Sequence, residues 1–72
     1  MFTVTQLAKQ FSISRTTILY YEKEKILTPA YRSENGYRWY GEKEIARLKA
    51  IICYRSYGLT IATIKTLLER KD

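Results

Sequence analysis

A mainly α fold, four short helices broken by one β-hairpin, is predicted by three features of the 72-residue chain. Apolar residues recur at helical spacing in four separate segments, each opened by a hydroxyl residue or closed by a glycine. Between the second and third segments Pro29 forbids helix, and Asn35-Gly36 sits between two aromatic-rich runs, which is the pattern of a hairpin. No linker, low-complexity stretch or internal repeat divides the chain, so these elements belong to one domain.

The first helix is written in TVTQLAKQF. Thr3 and Gln6 have the spacing of a capping box, and Val4, Leu7, Ala8 and Phe11 make one apolar face. Ser12-Ile13-Ser14 breaks it with a three-residue turn, and Ser14 caps a second helix over about Arg15–Glu24. Ile18 and Tyr21 form its inward face, followed by Ile26 and Leu27. Arg15, Thr16, Leu19, Tyr20 and Lys23 form the outward face, with Glu22 and Glu24 placed off it. After Pro29, Ala30–Arg32 and Tyr37–Tyr40 are extended arms around Ser33-Glu34-Asn35-Gly36. A third helix runs from about Glu42 to Tyr57, turns Ile45, Leu48, Ile51 and Ile52 inward, and stops at Gly58. Thr60 caps a fourth, Ile61 to about Arg70, with Ile64, Leu67 and Leu68 inward.

A helix-turn-helix followed directly by a hairpin is a winged arrangement, in which the second helix can enter a major groove. The boundaries are 3–25 for the helix-turn-helix, 28–40 for the wing and 42–71 for the last two helices. Thirteen Lys and Arg against seven Asp and Glu leave a net charge of +6, which suits nucleic acid or another anionic surface. The outward face of the second helix, short hydroxyls with Arg15, Tyr20 and Lys23, suits phosphates and base edges. The wing adds Arg32 and Arg38 around a tight turn. Chemistry of other kinds is disfavoured. With no histidine, one cysteine and no clustered carboxylates, there is no Cys/His zinc site, no internal disulfide, no cofactor signature and no catalytic base or nucleophile. No apolar run approaches the ~18 residues of a membrane span. No signal-peptide pattern opens the chain, so the expectation is a soluble cytoplasmic protein with no membrane partner.

TVTQLAKQFSIS, then YYEKEKILTPAYRSENGYRWY, then RLKAIICYRSYGLTIATIKTLL resemble the DNA-binding domain of the MerR family of transcriptional regulators. The resemblance covers essentially the whole chain, and Asn-Gly-Tyr-Arg-x-Tyr after Tyr-Tyr-Glu is its specific combination. It implies sequence-specific binding of double-stranded promoter or operator DNA, with Arg15, Thr16, Thr17 and Tyr20 of the recognition helix in the major groove. Tyr37 and Arg38 of the wing would grip phosphate with Asn35 close by. A second wing made by the last two helices would bring Arg55 to the backbone. Arg32 joins this set on its own chemistry, as a second guanidinium beside the turn. Tyr21 and Tyr40 read better as core residues, and Tyr37 serves either the wing or a phosphate. Arg47 and Lys49 read as a solvated face, Cys53 as a small buried or half-buried residue, and Lys65, Arg70 and Lys71 as decoration of the last helix.

The chain departs from the family pattern at particular positions. Leu19 stands where the family has an arginine, a loss worth ~1–3 kcal/mol if that contact was bidentate, although Leu19 can meet a thymine methyl. Ser12 and Lys25 stand where the family has glycine, and a left-handed backbone at Lys25 would cost on the order of 1 kcal/mol. The family continues into a long helix that pairs two copies on an inverted repeat and carries the effector site. Here the sequence ends at Asp72, where that helix is expected to start. Two expectations follow: a reading head from a homodimeric regulator, with RNA polymerase as a further partner, or a minimal protein similar to excisionase-like DNA-bending factors. A protein-interaction module using Leu19, Tyr20 and Trp39 is the alternative of a different class.

Overall fold

Thr3 has two roles at the start of the chain. In the computed structural model, which describes residues 1–70, it is the last residue of a short strand, β1 (Phe2–Thr3), and the N-cap of α1 (Val4–Phe11). Its hydroxyl accepts from the Gln6 amide at 3.2 Å while the Gln6 side chain accepts from the Thr3 amide at 2.9 Å, so the capping box is formed as expected. α2 (Arg15–Lys23) follows, capped by Ser14. The chain then forms β2 (Tyr31–Arg32), β3 (Arg38–Tyr40), α3 (Glu42–Ser56) and α4 (Ile61–Glu69), the last capped by Thr60. Lys71, the end of the expected second-wing segment, lies outside the described residues.

The hairpin is part of a three-stranded antiparallel sheet in the order β1-β3-β2. β1 was not expected from the sequence, because two residues are too few to show alternation. It pairs Phe2 with Tyr40 and Thr3 with Trp39, while β2 sets Tyr31 opposite Trp39 and Arg32 opposite Arg38. The turn closes through Gly36 N to Ser33 O and Ser33 N to Tyr37 O, each 2.9 Å. Of the Asn35-Gly36 pair only Gly36 takes positive φ, 85°, the geometry of a three-residue loop ending in a bulge.

Three helices end in the same way. Ser12, Lys25 and Gly58 are left-handed, with φ of 55°, 61° and 85°. In each case the following amide, Ile13, Ile26 or Leu59, donates five residues back to Ala8, Tyr21 or Tyr54. These are Schellman motifs, in which the residue after the left-handed one is apolar and folds back onto the helix. Ile26 is accordingly fully buried. The strain anticipated at Lys25 is therefore present, and Ser12 carries it as well.

Leu7 and Ala8 of α1, Ile18 and Tyr21 of α2, and Ile26 and Leu27 after it form half of the core. Tyr40 of β3, Leu48 and Ile51 of α3 and Ile64 of α4 complete it. Among the described residues the buried set is wholly hydrophobic, and no helix is long and apolar enough to cross a membrane. Tyr21 and Tyr40 are core residues, as their positions suggested. The Tyr40 hydroxyl is buried without a hydrogen-bond partner. Burial, with a smaller contribution from the Glu22 charge, raises its pKa above the ordinary tyrosine value; the Arg38 and Arg32 charges oppose this only in part.

Candidate nucleic-acid interface

α2 stands between two clefts. Thr16, Thr17, Tyr20 and Tyr21 face Arg55 of α3 across one of them. Leu19, Glu22, Lys23 and Lys25 face Arg32 and Arg38 of the hairpin across the other. Arg15, Thr16 and Tyr20 form an exposed stripe on the first two turns of the helix, with Thr16 and Tyr20 on the Arg55 side. The residues expected on the reading face are thus brought together, and an arginine-bearing wing flanks them on each side.

Individual side chains differ in what they have free. Ser14 caps α2 by accepting from the Thr17 amide at 3.0 Å, and its hydroxyl also lies 2.8 Å from the Thr17 hydroxyl. Thr17 is therefore committed to the helix start, whereas Arg15 and Thr16 make no side-chain hydrogen bond among the described residues. Tyr20 is 46% and Tyr37 61% exposed, so both rings are open to a partner. Asn35 accepts from the Ser33 hydroxyl and so stiffens the turn. Trp39 stacks on Tyr31 with ring centroids 6.4 Å apart. Arg55 donates to the Leu59 carbonyl at 3.0 Å, which ties it to its own helix end.

Glu22 was expected to lie off the outward face. It sits at the junction of α2 and the hairpin, where Oε2 accepts from Arg32 Nη2 at 2.6 Å and Oε1 from Arg38 Nε at 2.5 Å. Burial alone would raise its pKa, but the hydrogen bonds and positive charges of Arg32 and Arg38 outweigh that and hold the carboxyl below its ordinary value. A signal for this was present: a hairpin closing at Ser33 and Tyr37 sets Arg32 opposite Arg38, and like charges across a ladder call for a counter-ion.

Arg47 departs from expectation. It is half-buried and donates through Nε to the Ile26 carbonyl at 2.5 Å, bracing the segment that follows α2, while Lys49 is exposed as expected. Cys53, expected buried or half-buried, is exposed on α3. Among the described residues no group of His, Cys, Asp and Glu side chains is placed to hold a metal ion.

Comparison with known proteins agrees with this geometry. Residues 2–71 match the description MerR HTH family regulatory protein. The chain belongs to the MerR family. It is 37% identical over 69 residues to the HTH-type transcriptional regulator ZntR of Escherichia coli, covering 96% of this chain and 49% of ZntR. It is 36% identical over 61 residues to AdhR of Bacillus subtilis, covering 85% of this chain and 44% of AdhR. The chain thus spans about half the length of these relatives. The N-terminus of MtaN, the multidrug transporter activator of Bacillus subtilis, superposes with a TM-score of 0.95 at 26% identity, over 100% of this chain and 68% of that one. HiNmlR, a MerR family regulator lacking the sensor domain and bound to promoter DNA, superposes with a TM-score of 0.83 at 29% identity. That match covers 94% of this chain and 54% of HiNmlR. The winged helix-turn-helix fold of this MerR domain is therefore the fold of solved family members.

Proposed function

We propose that this MerR domain binds double-stranded DNA sequence-specifically in transcriptional control, with α2 in the major groove and a wing on the backbone at each side. The observation that carries the reading is the exposed Arg15–Thr16–Tyr20 stripe flanked on one side by Arg32 and Arg38 and on the other by Arg55. Guanidinium forks on both flanks set register on phosphates without reading sequence, which leaves discrimination to the stripe. In the two clefts Glu22 is the one acidic side chain, and both wing arginines already neutralise it. Promoter DNA bound by HiNmlR supports the same partner class for this chain. The proposed cellular setting is the cytoplasm, and the proposed target is an inverted repeat occupied by two copies.

Selection from a pool of random duplexes, with sequencing of those retained, tests this reading. An enriched inverted repeat supports paired reading heads, and an enriched single half-site supports a reading head acting alone. Retention that vanishes in modest salt with no enriched sequence would overturn specific recognition. The stack of exposed Tyr31 on half-buried Trp39 would then favour a protein-binding module.

A further inference from the structure

The first wing contains an apparent waste of charge. Arg32 and Arg38, the residues best placed to meet phosphate there, both bind a carboxylate of their own chain. The atoms used resolve this. Arg38 donates through Nε, so both of its terminal amino groups keep all their N–H bonds free. Arg32 donates through Nη2 alone, which leaves Nε and Nη1 free. Neither guanidinium makes another hydrogen bond among the described residues. Glu22 itself has a side chain only 19% exposed, against 29% for Arg38 and 52% for Arg32, so the carboxylate lies beneath and the cations lie toward solvent.

We propose that Glu22 is the positioning residue of the first wing, holding Arg38 by Nε and Arg32 by Nη2 so that their free N–H edges are set for a DNA phosphate. The proposal rests on the duplex-binding reading above. Its physical content is preorganisation. An arginine held in one rotamer before binding loses less freedom on binding; the two terminal amino groups of Arg38 together can grip phosphate with two parallel bonds, while Arg32 offers single bonds from Nε or Nη1. The carboxylate touches no DNA in this arrangement; it acts through the two arginines. Its presence also explains how a hairpin tolerates Arg32 directly opposite Arg38.

Charge and position predict opposite signs, which makes the idea testable. Glu22→Ala raises the net charge by one, so a purely electrostatic account predicts tighter binding to any duplex. Positioning predicts weaker binding. The probe is a fluorescein-labelled mixed-sequence duplex titrated by anisotropy across a salt series, because phosphate contacts do not depend on sequence. Glu22→Ala should weaken binding about ten-fold and lower the salt slope by about one. Glu22→Gln keeps one acceptor oxygen and nearly the same volume, so it should fall between wild type and Glu22→Ala, and it serves in place of Glu22→Ala if that variant unfolds. Adding Glu22→Ala to the Arg32→Ala/Arg38→Ala double variant should weaken binding no further, and the removed negative charge can only tighten it, whereas a general loss of fold would cost affinity in both backgrounds. Equal or tighter binding by both Glu22 variants, with wild type showing a normal salt slope, overturns the positioning role and leaves the duplex-binding reading intact. Wild type that binds no duplex overturns both.

Discussion

Arg55 in the second wing donates to the carbonyl of Leu59, four residues on and within one helix ending, whereas in the first wing Arg32 and Arg38 meet a carboxylate ten and sixteen residues away in sequence. Both wings are entered through a left-handed residue, but the second uses Gly58 and the first uses Lys25. The second wing is therefore a local structure that α3, Gly58 and Thr60 specify among themselves. The first wing exists only because β3 is anchored by Tyr40 in the core, paired with β1 at Phe2, and tied to α2 by Glu22. Equivalent chemistry at the surface thus rests on supports of different range.

Removing the anchor should break the comparison most sharply. Tyr40→Ala is expected to cost about 3–5 kcal/mol, as large-to-small changes at fully buried aromatic sites do. A domain of this size holds only ~3–5 kcal/mol, so urea titration should find the variant largely unfolded. Tyr40→Phe is expected instead to stabilise by about 1 kcal/mol, since it removes a buried hydroxyl that has no partner. An unchanged urea midpoint would show that this hydroxyl is satisfied in solution.

Arginine truncations should separate the wings at the next level. Arg38→Ala and Arg55→Ala are each expected to weaken binding to all duplexes alike and to lower the salt slope by about one. Their stabilities should differ: about 1 kcal/mol lost for Arg38→Ala, which leaves Glu22 half-partnered, and under ~0.5 kcal/mol for Arg55→Ala. A loss confined to one DNA sequence would assign either arginine to base reading instead.

The left-handed positions offer an exchange of smaller size. Lys25→Gly should stabilise by about 1 kcal/mol and Gly58→Lys should destabilise by a similar amount, because a side chain at positive φ is strained even though nothing crowds Gly58 within 4 Å. Thermal unfolding of the two variants reads this directly, and equal shifts of one sign would contradict it.

Acid should distinguish the wings by the smallest margin. Glu22 has a folded pKa below the ordinary value near 4.3, so its contribution is fully present above that value and is lost as pH falls through the folded pKa. Exchange of the Ala30 and Ser33 amides, which close the hairpin, should rise in acid before that of the Leu59 amide in the second wing. Glu22→Gln should abolish the difference.

Much of this molecule is legible in residues that lie within one turn of each other. Thr3 with Gln6, Ser14 with Thr17 and Thr60 with Thr63 start helices through bonds spanning three residues, and each was readable as a cap. The period of Leu7, Ile18, Leu48 and Ile64 marked the inward faces for the same reason. Arg15, Thr16 and Tyr20 fell on one exposed face because helical spacing alone puts them there. Family resemblance added Arg55 and the role of the wings, and the MerR match across residues 2–71 bears the resemblance out.

The features that escaped are those whose two halves are distant in the chain. β1 is too short to announce itself and is a strand only because β3 lies beside it. Arg47 reads as a surface cation until the loop after α2 brings the Ile26 carbonyl, 21 residues away, within reach. Glu22 reads only as a carboxylate off the outward face until the sheet carries Arg32 and Arg38 to it. Caps, helix faces and the turn at Gly36 were determined by sequence, because each depends on bonds that close within a few residues. Which charges are free to meet a partner was decided by the tertiary structure, because an ion pair needs its members at hydrogen-bond distance, and only packing the sheet against α2 puts them there.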